Sequence, residues 1–190
     1  MAIEYEMRTL GISIEDIIFQ LEKLGAEKKG VYYQKRYVYD FIPPQKGRWI
    51  RLRSNGLSTT LTIKEIKSLR IDGTNELEIF VSDFDETNRI LQKLGYKPRT
   101  FQENFRIEYS LNGVNFDIDK WPLIPPYMEI EGLSEQEVLN AINALNIPYA
   151  KFTTKDVDSI YNDVYGIVLD DIDILHFSEA ELNYIHQFEE

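Results

Sequence analysis

The sequence predicts an α+β protein built around a largely antiparallel β-sheet. Three observations carry this expectation. Strand-like runs outnumber helical ones, and the turn dipeptides Asn55-Gly56, Asp72-Gly73 and Asn112-Gly113 separate several of them. Nearly every such run also alternates charged with apolar residues at the strand period of two.

The elements follow in chain order. In the opening "IEYEMR", Glu4, Glu6 and Arg8 share one strand face while Ile3, Tyr5 and Met7 share the other. Ser13 caps a helix through "IEDIIFQLEKLGA", with Asp16 as capping partner and Gly25 as the stop. Strands follow at 31–40, 48–54, 59–66 and 75–81. A second helix, "DFDETNRILQKLGY", starts at Asp83 or Asp85 and ends at Gly95. Strands at 103–111, 114–120 and 127–131 come next, then a helix opened by Ser134 and Glu137 that stops before Pro148. Glu4-Tyr5-Glu6 with Lys23-Leu24-Gly25, and Glu76-Leu77-Glu78 with Lys93-Leu94-Gly95, form a weak internal repeat suggesting two βαβ-like halves.

From Lys151 the pattern changes to two helical stretches joined by the acidic "LDDIDIL". No Gly-, Pro- or Ser-rich linker intervenes. The expected organisation is a barrel domain over 1–150, with 151–190 packed on its outside or one end.

Composition narrows the function. A net charge of −11 over 190 residues argues against duplex nucleic acid, which requires a basic footprint. With no cysteine, disulfides, thiolate catalysis and Cys-ligated zinc are excluded. No apolar run spans a bilayer and no signal peptide is evident, so the expected location is cytoplasmic.

The alternation carries the chemistry. Arg51 and Arg53 oppose Ile50 and Leu52, and Thr62 and Lys64 oppose Leu61 and Ile63. Glu76 and Glu78, Arg106 and Glu108, Asp117 and Asp119, and Glu129 and Glu131 repeat the arrangement. An open sheet with a solvated charged face would produce it. So would a closed barrel with charges inside and helices outside, which marks a polar ligand cavity. The charged residues come in pairs, Glu-x-Glu, Asp-x-Asp and Arg-x-Arg. Paired carboxylates suit a hard divalent cation, and arginine forks suit phosphate oxygens. A polyphosphate bridged by metal reconciles the two sets.

The ordered set resembles the CYTH family, the triphosphate tunnel metalloenzymes. Its Glu-x-Glu-x-Lys signature is matched by Glu4-Tyr5-Glu6-Met7-Arg8, followed by Arg51-Leu52-Arg53, Lys64, Glu76 and Glu78, Arg106, Asp119 and Glu129-Ile130-Glu131. The resemblance implies a closed eight-stranded antiparallel β-barrel with outer helices. It places Glu4, Glu6 and Arg8 at the catalytic centre and gives Mg²⁺ or Mn²⁺ to Glu4, Glu6, Asp119, Glu129 and Glu131. Arg8, Arg51, Arg53, Lys64 and Arg106 would grip the phosphate chain. Glu76 and Glu78 would bind metal or orient those cations, and Asp117 and Lys35 have no assigned role. The implied function is hydrolysis of tripolyphosphate, thiamine triphosphate or ATP. The alternatives are cyclisation of ATP to cyclic AMP and a non-catalytic polyphosphate- or nucleotide-binding barrel. A homodimer is compatible with all three.

Two positions depart from the family pattern. Arg8 replaces the signature lysine and cannot lose a proton as a general base. Asn104 stands where the family often has a further lysine, and Lys35 or Arg36 are the nearby candidates to compensate. Trp121 and Tyr127 are candidates to stack on a base or thiamine ring, and His176 and His186 read as surface or packing residues.

Overall fold

The structure, a computed structural model describing residues 2–189, shows where the alternating strands close. The strands are β1 (Ala2–Leu10), β2 (Glu27–Gln45), β3 (Arg48–Ser54), β4 (Thr59–Ile66), β5 (Thr74–Val81), β6 (Pro98–Leu111), β7 (Val114–Lys120) and β8 (Tyr127–Gly132). They run in the order β6-β2-β3-β4-β5-β1-β8-β7, and β7 pairs back onto β6. Every pairing in this ring is antiparallel, so the sheet is a closed eight-stranded barrel. Exchanging β1–β4 for β5–β8 leaves every strand neighbour unchanged, so the connectivity itself has twofold symmetry.

Closure follows from local chemistry. Asn112 and Gly113 both have positive φ, 51° and 84°, the geometry of a two-residue hairpin turn between β6 and β7. At Gly73 the demand is close approach, because a Cβ would lie 2.0 Å from the Ser68 carbonyl oxygen. β2 and β6 extend beyond the expected 31–40 and 103–111 because each supplies the other's partner, from Glu27–Ser110 to Tyr39–Pro98. Cross-strand pairing overrides the weak strand character of "EKKG".

The helices are α1 (Ile14–Lys23), α2 (Phe84–Lys93), α3 (Glu135–Ala144), α4 (Val157–Tyr165) and α5 (Glu179–Ile185). Ser13 and Ser134 cap α1 and α3 as expected, and Asp83 rather than Asp85 caps α2. Ile14, Ile17 and Leu21 of α1 and Val138 and Ile142 of α3 bury against Phe105, Ile107, Phe116, Ile118 and Ile130 on the barrel's outer face. Phe84 and Leu91 of α2 pack with Tyr39, Ile50 and Leu52. Covering these apolar faces is what turns the charged faces inward. The cover is incomplete at β5, where Leu77 and Ile79 stay about half exposed (51% and 56%) on the outside.

The C-terminal segment adds to this barrel. β9 (Phe152–Thr153) pairs with Arg8 and Thr9 of β1, and β10 (Ile174–Leu175) runs parallel to β6. Ile160 and Tyr161 of α4 bury against Trp121, Ile124 and Tyr127. Among the described residues, no helix is long and apolar enough to cross a membrane.

Candidate active site

Register places the charged residues on opposed walls of one cavity. Around the ring, β1 and β8 lie across from β2 and β3. β1 and β8 present Glu4, Glu6, Glu129 and Glu131; β3 and β6 present Arg51, Arg53 and Arg106, joined by Arg36 of β2. The cavity they line measures about 240 Å³. Asp156, Val157 and Asp158 line it at the start of α4, so the C-terminal segment covers one end.

Arg8 does not stand free. Its Nη2 lies 2.8 Å from Glu6 and 2.5 Å from Glu129, and its Nη1 donates to the Lys155 carbonyl at 3.0 Å. Burial pulls this guanidinium toward neutrality, but Glu129 and Glu6 outweigh it and fix the charge. Burial likewise pushes the Glu129 carboxyl up, while Arg8, Arg106 and Lys64 hold it well below the usual range.

Lys64 Nζ contacts Glu76 at 2.5 Å and Glu4 at 3.2 Å. Arg51 reaches Glu76 at 3.3 Å and Glu78 at 3.4 Å, and Arg53 reaches Glu78 at 3.7 Å. Glu76 and Glu78 therefore pair with the cations they meet across the sheet. Arg51's neighbouring charge, then burial and Arg106, push the Arg53 guanidinium down, a sign of how crowded with positive charge this wall is.

The remaining predicted residues divide clearly. Asp119 is fully buried behind the wall, where it binds Arg106 Nε and Nη2 at 2.9 and 2.6 Å and accepts from Asn104 at 3.0 Å. Asp117 takes the other fork of Arg106. Neither lines the cavity, although Asp117 is the register partner of Glu129 and Arg106 stands between Asp119 and Glu129. Lys35 lies outside the barrel, with its Nζ 4.7 Å from the Phe84 ring centre. Trp121 faces the cavity, but Arg36 covers its ring at 4.4 Å and Tyr161 meets its edge. His186 is exposed beside Glu189.

The donor set fits a hard divalent cation in kind, since Glu4, Glu6, Glu129 and Glu131 offer only carboxylate oxygens. Glu131 is the telling member. Among the described residues its side chain has no ion-pair partner, and burial followed by Glu129, Glu4 and Glu6 pushes its carboxyl up to about 7. The site is short of positive charge on this side. No group of three carboxylates or histidines converges as a preformed metal cage among the described residues, because Arg8 and Lys64 stand between the glutamates.

Sequence reasoning placed Arg36 only among possible substitutes and missed Lys120 and Glu181. Lys120 is buried and donates to the Trp121 and Ile124 carbonyls at 2.6 and 2.8 Å and to Glu181 at 2.7 Å, tying α5 to the barrel. Arg36 follows Lys35, and two adjacent cations give no period-two signal for which one points inward.

The fold and site together define a closed antiparallel barrel with carboxylates and arginines turned into one cavity. The CYTH domain family model matches residues 2–158, and the chain belongs to this family. Among solved structures, it is similar to a conserved hypothetical protein from Pyrococcus furiosus (20% identity, TM-score 0.71, covering 81% of this chain and 97% of that one). It is also similar to a provisionally assigned adenylate cyclase from Vibrio parahaemolyticus (11%, TM-score 0.72, 85% and 98%). A third is HpAC1 from Hippeastrum, proposed as an adenylyl cyclase and described as having a dominant triphosphatase activity (14%, TM-score 0.59, 89% and 98%). At these identities the likeness establishes the fold. No curated protein matches the chain in sequence.

Proposed function

We propose that this chain is a metal-dependent hydrolase of triphosphates, with inorganic tripolyphosphate favoured among the substrates. The observation that carries this reading is the convergence of Arg51, Arg53 and Arg106 with Glu4, Glu6, Glu129 and Glu131 on one cavity. A phosphate chain lying on the arginine wall leaves its outer oxygens facing the carboxylates, and the pair is reconciled only by cations between them.

Glu4, Glu6, Glu129 and Glu131 would hold Mg²⁺ or Mn²⁺. When bound, such a cation supplies charge stabilisation at phosphoryl oxygens and favours deprotonation of water. The chain's own residues do the rest. Arg51, Arg53, Arg106 and Lys64 bind and align the phosphates for in-line attack by water, and they stabilise the charge that develops on the leaving oxygen. Glu76 and Glu78 hold Arg51, Arg53 and Lys64 in position. Arg8 stays charged throughout and takes no proton.

The cyclase reading requires a platform for a base and a ribose. At about 240 Å³ the cavity is below the ~300–1,000 Å³ typical of drug-sized ligands, and the Trp121 face is already taken by Arg36. Both features favour a compact inorganic chain. The test is a product assay on tripolyphosphate, thiamine triphosphate and ATP, each with Mg²⁺ or Mn²⁺. Metal-dependent phosphate release from tripolyphosphate supports the proposal. Cyclic AMP as the main product from ATP replaces it with the cyclase reading, and binding without turnover of any substrate leaves a binding module.

A further inference from the structure

The twofold connectivity of the barrel leaves one seam of its outer face uncovered. Exchanging the two halves carries the β1–β8 seam onto the β5–β4 seam, so the Met7–Ile130 pair of one ladder falls on the Ile79–Leu61 pair of the other. The runs Glu4-Tyr5-Glu6-Met7 and Glu76-Leu77-Glu78-Ile79 align in the same way. On the first seam α3 follows β8 and packs Val138 and Ile142 into one cluster with Met7 and Ile130, which are 3% and 0% exposed. On the second, β4 leads into β5 through residues 67–73 with no helix between them. Among the described residues α4 and α5 are spent elsewhere, on Trp121 and on the α1–α3 cluster. Leu77 and Ile79 therefore stay about half exposed where their counterparts are covered by a helix.

The bare seam is apolar, and a ridge that could fill it stands beside it. Leu77 pairs with Ile63 and Ile79 with Leu61, so four aliphatic side chains form a continuous outer surface. Among the described outward positions of β4 and β5 the single charge is Glu65, which Arg48 holds at 2.6 Å. α2 borders this surface. On its β2 side Asn88 accepts from Tyr39 Oη at 3.0 Å, and at helical spacing Ile90 and Leu94 project from the opposite flank, toward β4 and β5. They are 59% and 68% exposed. A ridge and a helix-sized groove in one patch are self-complementary under twofold rotation, because each copy's ridge can enter the other's groove.

We propose that the β4–β5 face and the Ile90–Leu94 flank of α2 form the interface of a C2 homodimer, each copy's α2 seated on the other's Leu77 and Ile79. A second copy covers both halves of the patch at once, the sheet face and the helix flank. Charge points the same way. At a net charge of −11 two copies repel over most of their surface, and this sheet face lets them approach without setting like charges against each other. A basic partner drawn by the chain's acidity would need free carboxylates on the face, and Glu65 is already paired. The interface lies outside the barrel, so it stands whether or not the triphosphate reading does. Leu77 and Ile79 alternate with Glu76 and Glu78, the inner partners of Arg51, Arg53 and Lys64, so the dimer braces the wall that carries those cations.

The test is analytical ultracentrifugation of the wild-type chain, I79K and L94E over a concentration series, each alone and the two variants mixed. Wild type should sediment as a dimer with a dissociation constant of about 1 µM or lower, as interfaces of standard size give. I79K and L94E should each weaken the dimer at least about 100-fold, because each buries a charge without a partner. An equal mixture should recover dimer, since opposite charges then meet at one of the two symmetry-related contacts and native residues meet at the other. Both positions are more than half exposed, so the melting temperature of either variant at low concentration should stay within about 3 °C of wild type. A wild type that stays monomeric at about 100 µM overturns the inference, whatever else the face binds. So does a dimer that both variants leave intact, which places the interface elsewhere. A dimer broken by I79K but not by L94E, or a mixture that stays monomeric, overturns the seating of α2 on the seam. If I79K does not fold, I79T decides by the same comparison with L94E.

Discussion

Arg8 and Glu129 are partners in the β1–β8 ladder, and their side chains meet at 2.5 Å inside the barrel. The same guanidinium holds Glu6 and the Lys155 carbonyl, so one side chain ties β1, β8 and the C-terminal segment together. A residue read from its motif as a phosphate ligand is thus also a strut.

That dual role sets the first expectation. Arg8→Lys restores the residue common in the family signature but replaces a planar five-donor fork with a compact ammonium, which does not reproduce the geometry of the contacts to Glu6, Glu129 and the Lys155 carbonyl. Stability should fall by about 1–2 kcal/mol, comparable to one or two lost charge-assisted hydrogen bonds. Turnover on tripolyphosphate should drop modestly, and the pH–rate curve should keep its shape. A large rise in turnover with a new basic limb would instead identify a lost general base.

Glu129 and Glu131 look equivalent in sequence, and the fold separates them. Glu129→Ala strips Arg8 and Arg106 of a buried partner and should cost about 3–5 kcal/mol of stability. Glu131→Gln removes a carboxylate crowded by Glu4, Glu6 and Glu129, so stability should be unchanged or higher. Both should weaken metal binding and abolish turnover. Thermal melts together with Mn²⁺ titration check the contrast, and equal melting temperatures for the two variants would contradict it.

Acid should weaken the attachment of α5. Burial pushes the Glu181 carboxyl up, but hydrogen bonds from Lys120, Ser178 and Leu123 outweigh it and bring it down to about 2. Because the folded value lies below the ordinary 4.5, the stabilisation is complete above about 4.5 and is lost as pH falls toward 2. Glu181→Gln should therefore be less stable than wild type by ~2 kcal/mol at neutral pH, an allowance made for its partial solvent contact. The gap should close in melts taken between pH 4.5 and pH 2. A constant gap across that window would show that Glu181 acts by packing alone.

The barrel and most of its inner residues were legible because strand alternation is local: period two puts Arg51 with Arg53 and Glu129 with Glu131 whatever their neighbours are. Who faces whom was not legible. That depends on the register between strands, which sets Arg36 beside Arg53 in the β2–β3 pair and Lys64 between Glu4 and Glu76 across β4, β5 and β1. The extra length of β2 and β6 was hidden for the same reason, since each is held by its partner rather than by its own residues. The outer helices were found from Ser13 and Ser134, whose caps are short-range.

Asp119 poses the last question, because sequence and structure offer it different work. By resemblance it is a further acidic contributor to metal binding. In the fold it is fully buried, receives two hydrogen bonds from Arg106 and one from Asn104, and does not line the cavity with Glu4, Glu6, Glu129 and Glu131. Asp119→Asn tells the two apart with little change of volume. If Asp119 positions Arg106, the variant should keep Mn²⁺ affinity within about twofold, while KM for tripolyphosphate rises about tenfold, the effect of disordering one phosphate-binding fork. Asn can still accept from one Arg106 nitrogen, so the rise should be smaller than that caused by Arg106→Gln. If Asp119 is a ligand, Mn²⁺ affinity should fall together with turnover, and adding metal should restore activity without changing KM. Measuring KM across a metal titration decides between a positioning carboxylate and a liganding one.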